Sequence, residues 1–356
     1  MSLLQQAPRF DLAGAARLAR EMYGIVAAVS PLPSERDQNF LLTTTTGVRY
    51  VLKLANASED RVMLEAQNAA MAHVAARVAF CPRVLPTIAG DTIGVAPGSA
   101  HLVRLVTYLA GIPLAEAGAR TPALLDRLGR AVGRLDAALA DFDHPAIHRD
   151  FHWDLANAPR VIRQHLGLIG DGGYRQLVEC VSTDARQAIE PHQHAFRRSA
   201  VHNDANDWNV LVARSVSRES EPAPTRPASP ANTSMFRDMT ESQIPSPEIV
   251  GIIDFGDMVH SWTVADPAVA AAYAMLDATD PMATAASIVA GYQAEHPLRD
   301  EELAAVFPLA SLRLCMSACI AAWQHPQRPD DEYLAVSQAP IRRTLPALAK
   351  LLGSGA

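Results

Sequence analysis

His202-Asn203-Asp204 and Asn209 lie just before the apolar run Val210-Leu211-Val212, and a second acidic stretch, Gly251-Ile252-Ile253-Asp254-Phe255-Gly256-Asp257, ends another apolar run on a carboxylate. An Asp followed five positions on by an Asn, and later by Asp-Phe-Gly, has the spacing of phosphoryl-transfer machinery. In that chemistry the first Asp takes the proton of an attacking hydroxyl, and the Asn and the later Asp hold magnesium. Either Asp alone would be explained as well by a turn cap after a strand. Their joint spacing singles out Asp204 as catalytic base and Asn209 and Asp254 as ligands of Mg²⁺. His202 is read as support for the loop, and Asp257 as either an exposed turn carboxylate or a contact to a cationic substrate.

Such a site needs a cation for the phosphates. Lys53 stands inside the apolar run Tyr50-Val51-Leu52-Lys53-Leu54, where an unpaired ammonium is costly. Glu65, on a helix expected over about residues 59–78, is its expected partner, and the pair would reach the α/β-phosphates. The polar stretch at residues 32–39 lies where a kinase-type loop would cover the nucleotide, yet it contains no glycine. A phosphate grip there falls to Ser34, Gln38, Asn39 and backbone N–H groups. Residues 100–109 read as a strand running into Ala110-Gly111-Ile112-Pro113, a hinge between lobes. Backbone near Thr107 and Leu109 would then meet the base edge of the nucleotide.

The remaining elements must hold these groups in place. A chain of 356 residues, 49% hydrophobic and 19% charged, buries a large core and is long enough for two lobes. The net charge of -7 argues against a nucleic-acid partner. No secretory signal and no apolar run long enough to span a bilayer is visible, and four scattered cysteines form neither a disulfide framework nor a zinc pattern, so no membrane partner and a reducing, cytoplasmic setting are expected. Helical spacing covers residues 10–29, and strands are expected at 40–45 and 49–54 about the turn Thr46-Gly47. Further helices are expected at Pro122–Leu139, 170–195, 281–293, 301–323 and 331–352, with Asp266-Pro267 as the N-cap and first position of another. The triplet His148-Arg149-Asp150 spells a catalytic loop but lacks the Asn five positions on, and Trp153-Asp154-Leu155 is read as large-lobe packing. Residues 214–248, rich in Ser, Pro, Glu and Thr, read as a mobile insertion in a hairpin turn.

These motifs, with Glu35-Arg36-Asp37-Gln38-Asn39 and Arg104-Leu105 followed by Gly111, resemble the aminoglycoside phosphotransferase and choline kinase superfamily, and more narrowly its hydroxylysine kinase-like branch, which also occurs fused to class III aminotransferases. The resemblance implies an α+β, bilobal protein-kinase-like fold: a small β-rich N-lobe over residues 1–108 and a larger, mostly helical C-lobe over 109–356. It implies transfer of the γ-phosphoryl group of ATP or GTP to a hydroxyl of a small amine-bearing acceptor. Choline or ethanolamine, homoserine and an aminoglycoside stay open as acceptors, as does a pseudokinase that only binds nucleotide. A calcium-loop reading of Asp204 to Asn209 fails, because position six of such a loop would be Asn209 instead of Gly.

Overall fold

The Asp11 carboxylate accepts the Gly14 N–H at 2.7 Å and starts α1 (Leu12–Tyr23), which Gly24 ends at φ 68°. That left-handed turn suits glycine, so the helix stops well short of the expected residue 29, and residues 27–29 open a strand instead. The computed structural model describes residues 8–34, 37–213, 247–327 and 336–353. The insertion expected at 214–248 lies outside the described residues except for its last two, as do Glu35, Arg36 and the beginning of the last expected helix.

The N-terminal lobe comprises β1 (Ala27–Leu32), β2 (Gln38–Thr44), β3 (Arg49–Leu54), α2 (Arg61–Val74), β4 (Val84–Leu85), β5 (Gly94–Val95) and β6 (Leu102–Thr107). The strands form one antiparallel sheet in the order β1-β2-β3-β6-β4, with β5 also on β6. Phe40, Leu42, Leu52, Leu54, Val103 and Leu105 pack on Ala15, Leu18 and Ala19 of α1. Side chains alternate across a strand, so Lys53 and its register partners Asn39 and Arg104 stand on the opposite face.

From β6 the chain crosses to β7 (Ile112–Pro113) and the large lobe, whose elements are α3 (Pro122–Leu139), α4 (Ala158–His165), α5 (Gly172–Ile189), β8 (Arg198–Val201), β9 (Val210–Val212), β10 (Ile249–Ile252), β11 (Val259–Trp262), α6 (Ala265–Ala274), α7 (Pro281–Glu295), α8 (Asp300–Gln324) and α9 (Gln338–Gly353). β7 pairs with β9, which pairs with β10, while β8 and β11 form a separate ribbon. Gly111 permits this crossing, since a Cβ there would lie 2.9 Å from the Val212 carbonyl oxygen. The α8 helix, long and apolar enough by composition to cross a membrane even with Arg313 inside it, is the core helix of this lobe, packed by α4, α5 and α6. The architecture is thus α+β and bilobal, with an antiparallel sheet first and a helical remainder.

Two features of the core bear directly on the chemistry. The α3 and α7 backbones touch: a Cβ on Gly129 would sit 1.9 Å from the Ile288 oxygen, and one on Gly291 1.9 Å from the Asp126 oxygen. This closeness brings the Tyr292 hydroxyl to 2.6 Å from Asp136 Oδ2, where it donates to a fully buried carboxyl. Burial first, and then the facing Asp266 carboxylate, hold Asp136 well above the usual carboxyl range. Asp266 itself is not the N-cap expected of it, because Val264 caps α6 and Asp266 lies inside the first turn. Its buried carboxylate instead accepts the backbone N–H groups of His202 at 2.7 Å and Asn203 at 2.5 Å. A tertiary demand for an acceptor beneath the loop has overridden the local capping preference.

Gly291→Ala should lower stability by about 1–3 kcal/mol or more through overpacking, and an unchanged denaturant midpoint would contradict the close packing. For Asp136 the sign follows from its raised folded-state pKa. Its contribution is complete below the unfolded value of about 4 and is lost as pH rises toward the folded value, at up to about 1.4 kcal/mol per pH unit. The stability of Asp136→Asn relative to the parent should therefore climb from about pH 4 upward; a difference independent of pH in denaturation titrations would refute the raised pKa of this carboxyl.

Candidate active site

The loop from β8 to β9 carries His202, Asp204 and Asn209, and its backbone is shaped by Asn203, which sits at φ 65°. Asn tolerates this left-handed conformation better than most residues, and its side-chain amide donates to the carbonyls of Trp153 at 3.3 Å and Asp257 at 3.2 Å. His202 is fully buried, which holds its pKa below the usual imidazole range. Its Nδ1 lies 3.3 Å from the Asp204 N–H as acceptor, and its Nε2 lies 3.2 Å from the Ile253 carbonyl. A neutral imidazole with the proton on Nε2 satisfies both bonds. His202 therefore ties the Asp204 loop to the segment that carries Asp254, and its ring stands edge-on to Phe255 at 5.0 Å.

Asp204 is enclosed by donors. Oδ2 accepts from Asn209 Nδ2 at 2.7 Å, and Oδ1 accepts from Asn206 Nδ2 at 2.9 Å and Arg313 Nη2 at 3.1 Å. Burial, then the neighbouring Asp257 carboxylate, push Asp204 well above the usual range, while Arg313 works in the other direction. A carboxylate poised in this way can take a proton from a hydroxyl close to it.

Asp254 follows β10 at φ 65°, with its Oδ1 accepting the Gly256 N–H at 3.1 Å. Lys53 Nζ lies 3.7 Å from its Oδ2 and is the main influence holding Asp254 below the usual carboxylate range. The Ile253 N–H donates to the Asn209 carbonyl at 2.9 Å, so the two expected metal ligands are adjacent. The Asn209 amide nitrogen is engaged by Asp204, which leaves the amide oxygen for a cation. Asp254 and Asn209 thus offer oxygen donors from two side chains, and no group of three or more His, Cys, Asp or Glu that could hold a metal occurs among the described residues. That donor set suits magnesium, which keeps waters and phosphate oxygens in its shell.

The structure brings Lys53, Asp204, Asn209 and Asp254 together; several other expected residues stand elsewhere. Glu65 does not pair with Lys53: it is exposed and lies 3.8 Å from Arg61, one turn earlier on α2. The buried face of α2 carries Leu64, Gln67, Asn68 and Met71 instead, and Asn68 accepts from the buried Arg104 at 3.1 Å. Gln38 is one residue out of phase with the cleft. Its amide makes two 2.8 Å bonds with the backbone of Phe10 on the α1 side. Asn39 is in phase with Lys53, and its buried Oδ1 has no hydrogen-bond partner among the described residues. Thr107 is occupied by Arg83, whose N–H it accepts and whose carbonyl it meets, both at 2.9 Å. Leu109 sits over Gly251, within 3.1 Å of where a Cβ there would be, and Ser34 is exposed in the loop after β1. Asp150 is exposed and engaged by Arg160 and Asn157.

A cavity opens beside Asp204, lined among others by Trp153, Asn206, Trp208, Asp257, Tyr273 and Arg313. Trp153 was expected only to pack the lobe. Asp154 beside it accepts the Ser261 hydroxyl, which pins that loop to β11. Arg313, Tyr273 and Asn206 carried no motif. The one available signal was Arg313 itself, a charge inside the apolar run of α8 that demands a partner by the same reasoning applied to Lys53.

The chain matches the phosphotransferase enzyme family over residues 28–218. The hydroxylysine kinase of Mus musculus is 31% identical over 351 residues, covering 93% of this chain and 87% of that protein. The hydroxylysine kinase of Danio rerio is 27% identical over 365 residues, covering 99% and 95%. Among solved structures, a microcompartment-associated aminopropanol kinase has the same fold, with a TM-score of 0.67 at 18% identity over 97% of this chain and 98% of that one. From the matched family and the shared length with these relatives, this chain belongs to the phosphotransferase enzyme family and is a small-molecule kinase.

Proposed function

We propose that the protein moves the γ-phosphoryl group of ATP or GTP, with Mg²⁺, to the hydroxyl of a small amine-bearing molecule: a hydroxylysine-like amino alcohol or hydroxy amino acid. The observation that carries this reading is the linked set Lys53, Asp254, Asn209 and Asp204, joined by contacts of 3.7 Å or less from the sheet of one lobe to the catalytic loop of the other. The relatives named hydroxylysine kinase support the acceptor class. The cavity supports it physically, because the Asp257 carboxylate on its wall favours an ammonium group. Residues 1–108 then cover the nucleotide, with Asn39 beside Lys53 and the backbone from Leu109 onward toward the base. Residues 109–356 carry the catalytic and acceptor groups, and four cysteines standing as unpaired thiols suit a cytoplasmic setting.

In this mechanism Asp204 accepts the acceptor hydroxyl's proton as its oxygen attacks the γ-phosphorus. The new O–P bond forms while the bond to the nucleoside diphosphate breaks. Lys53 neutralises phosphate oxygens, and Asp254 with the Asn209 amide oxygen would hold the divalent ion. When bound, the ion offsets charge on the β- and γ-phosphates. His202, held neutral, keeps the two acidic segments in register instead of exchanging a proton.

A screen of 5-hydroxylysine, choline, ethanolamine, homoserine and an aminoglycoside with ATP and with GTP, followed by nucleoside diphosphate release, tests the reading. Hydroxylysine-like acceptors should be turned over, and release that is indifferent to every acceptor would sink it. On the preferred acceptor, Asp204→Asn should lower kcat by about 10²–10⁴-fold. Lys53→Met should instead raise the nucleotide KM by about ten- to a hundredfold; equal effects of both changes on both constants would reject these separate roles.

A further inference from the structure

Arg313 lies midway along α8, flanked by Leu312 and Leu314, and is 1% exposed. A guanidinium is placed in such a core only where its surroundings supply acceptors, and here they come from two separate loops. Nη1 donates to the Trp153 carbonyl at 3.0 Å and lies 3.4 Å from the Asn203 carbonyl, and Nη2 donates to Asp204 Oδ1 at 3.1 Å. The guanidinium carbon stands 4.4 Å over the Trp153 ring and 5.8 Å from that of Tyr273. The remaining donor, Nε, is buried without a hydrogen-bond partner among the described residues. An isolated orphan N–H is a cost that the fold tolerates here, which indicates that the head group is placed for Asp204 and the two carbonyls.

Contact with phosphate is disfavoured, because Nη1 and Nη2 already face protein acceptors and the guanidinium is almost wholly buried. A purely structural role would not require the donor directed at Asp204, since the two carbonyls already tie α8 to the Trp153 and Asn203 backbones. The third role is to fix the carboxylate. Asn209 holds Oδ2, whereas Oδ1 is held by Asn206 and Arg313, so loss of Arg313 removes the only charged donor on Asp204 among the described contacts. Arg313 also opposes the charge of the neighbouring Asp257 and Asp254 carboxylates.

We infer that Arg313 is a positioning residue for phosphoryl transfer: it locks the rotation of the Asp204 carboxylate and joins it to the aromatic wall of the acceptor cavity, while touching neither nucleotide nor metal. This rests on the reading of Asp204 as the base that accepts the acceptor's proton. Lysine cannot reproduce the arrangement, because a single ammonium cannot serve a carboxylate and two carbonyls from one plane.

The test is a kinetic cycle on the full chain with wild type, Arg313→Met, Arg313→Lys, Asp204→Asn and the double variant Asp204→Asn/Arg313→Met. Misplacement of a reacting group by about 1 Å can cost about 10²-fold, so Arg313→Met should lower kcat by about that factor while the nucleotide KM stays within about twofold. Arg313→Lys should recover only part of the rate. Because groups acting through one another are not additive, the double variant should be no more than about threefold slower than Asp204→Asn alone. Full kcat in Arg313→Met, or a double variant that shows the product of both separate losses, would overturn the inference. If Arg313→Met does not fold, Arg313→Lys carries the test: a reduced kcat with parental Tm and nucleotide KM supports the role, and an unchanged kcat removes it. An inactive wild type would count against the proposed function instead, and an active wild type beside a full-rate Arg313→Met against this inference alone.

Discussion

The site depends on one buried carboxylate. Asp266, at the start of α6, accepts the backbone N–H groups of two successive residues, His202 and Asn203, and has no exposure to solvent. Two charge-assisted bonds to adjacent amides set the direction in which the chain leaves β8, so Asn203 is held at φ 65° and Asp204 is delivered to the cleft. Asp266 is in turn held from below. The α3 and α7 helices meet closely enough for Tyr292 to bond Asp136, which in turn faces Asp266.

The second organising constraint is charge. The Asp257 and Asp254 carboxylates both act on Asp204, and such a group is kept together by cations and donors. Lys53 comes to Asp254 from the sheet, Arg313 to Asp204 from α8, and Arg120 to Asp207 at 2.6 Å, where it also donates to the Tyr273 carbonyl. Arg313 and Arg120 thus fasten the catalytic loop from two separate parts of the chain, and Lys53 holds the segment beside it that carries Asp254. The left-handed backbones of Asn203 and Asp254 are compatible with this, since sparsely populated conformations persist where the surroundings over-determine them.

The sequence disclosed some of this and not the rest, for identifiable reasons. Local patterns were readable: α3 spans Pro122–Leu139 as its spacing requires, and the runs that became β9 and β10 flank the acidic residues as expected. The pairing of Lys53 was not. A Lys in an apolar strand announces that it needs an anion but does not say which one, and Glu65 turns out to stand in solvent with Arg61. Gln38 and Asn39 show the same limit in a strand, where one residue decides which face a side chain occupies. Asp266 before Pro267 carries a helix-start signal that the tertiary structure uses for another purpose. Arg313 was legible in principle, for a lone charge in an apolar helix obeys the rule already applied to Lys53.

The claim on which everything else turns is that Lys53, Asp204, Asn209 and Asp254 enclose one site for a triphosphate and its divalent ion. A crystal structure with a non-hydrolysable ATP analogue and Mn²⁺ tests this most directly, because the anomalous signal locates the ion independently of the protein. The ion should lie between the Asp254 carboxylate and the Asn209 amide oxygen, with the phosphates on Lys53 and the γ-phosphate facing Asp204. An ion or triphosphate seated elsewhere on the molecule, with Asp204 turned away from it, would contradict the account.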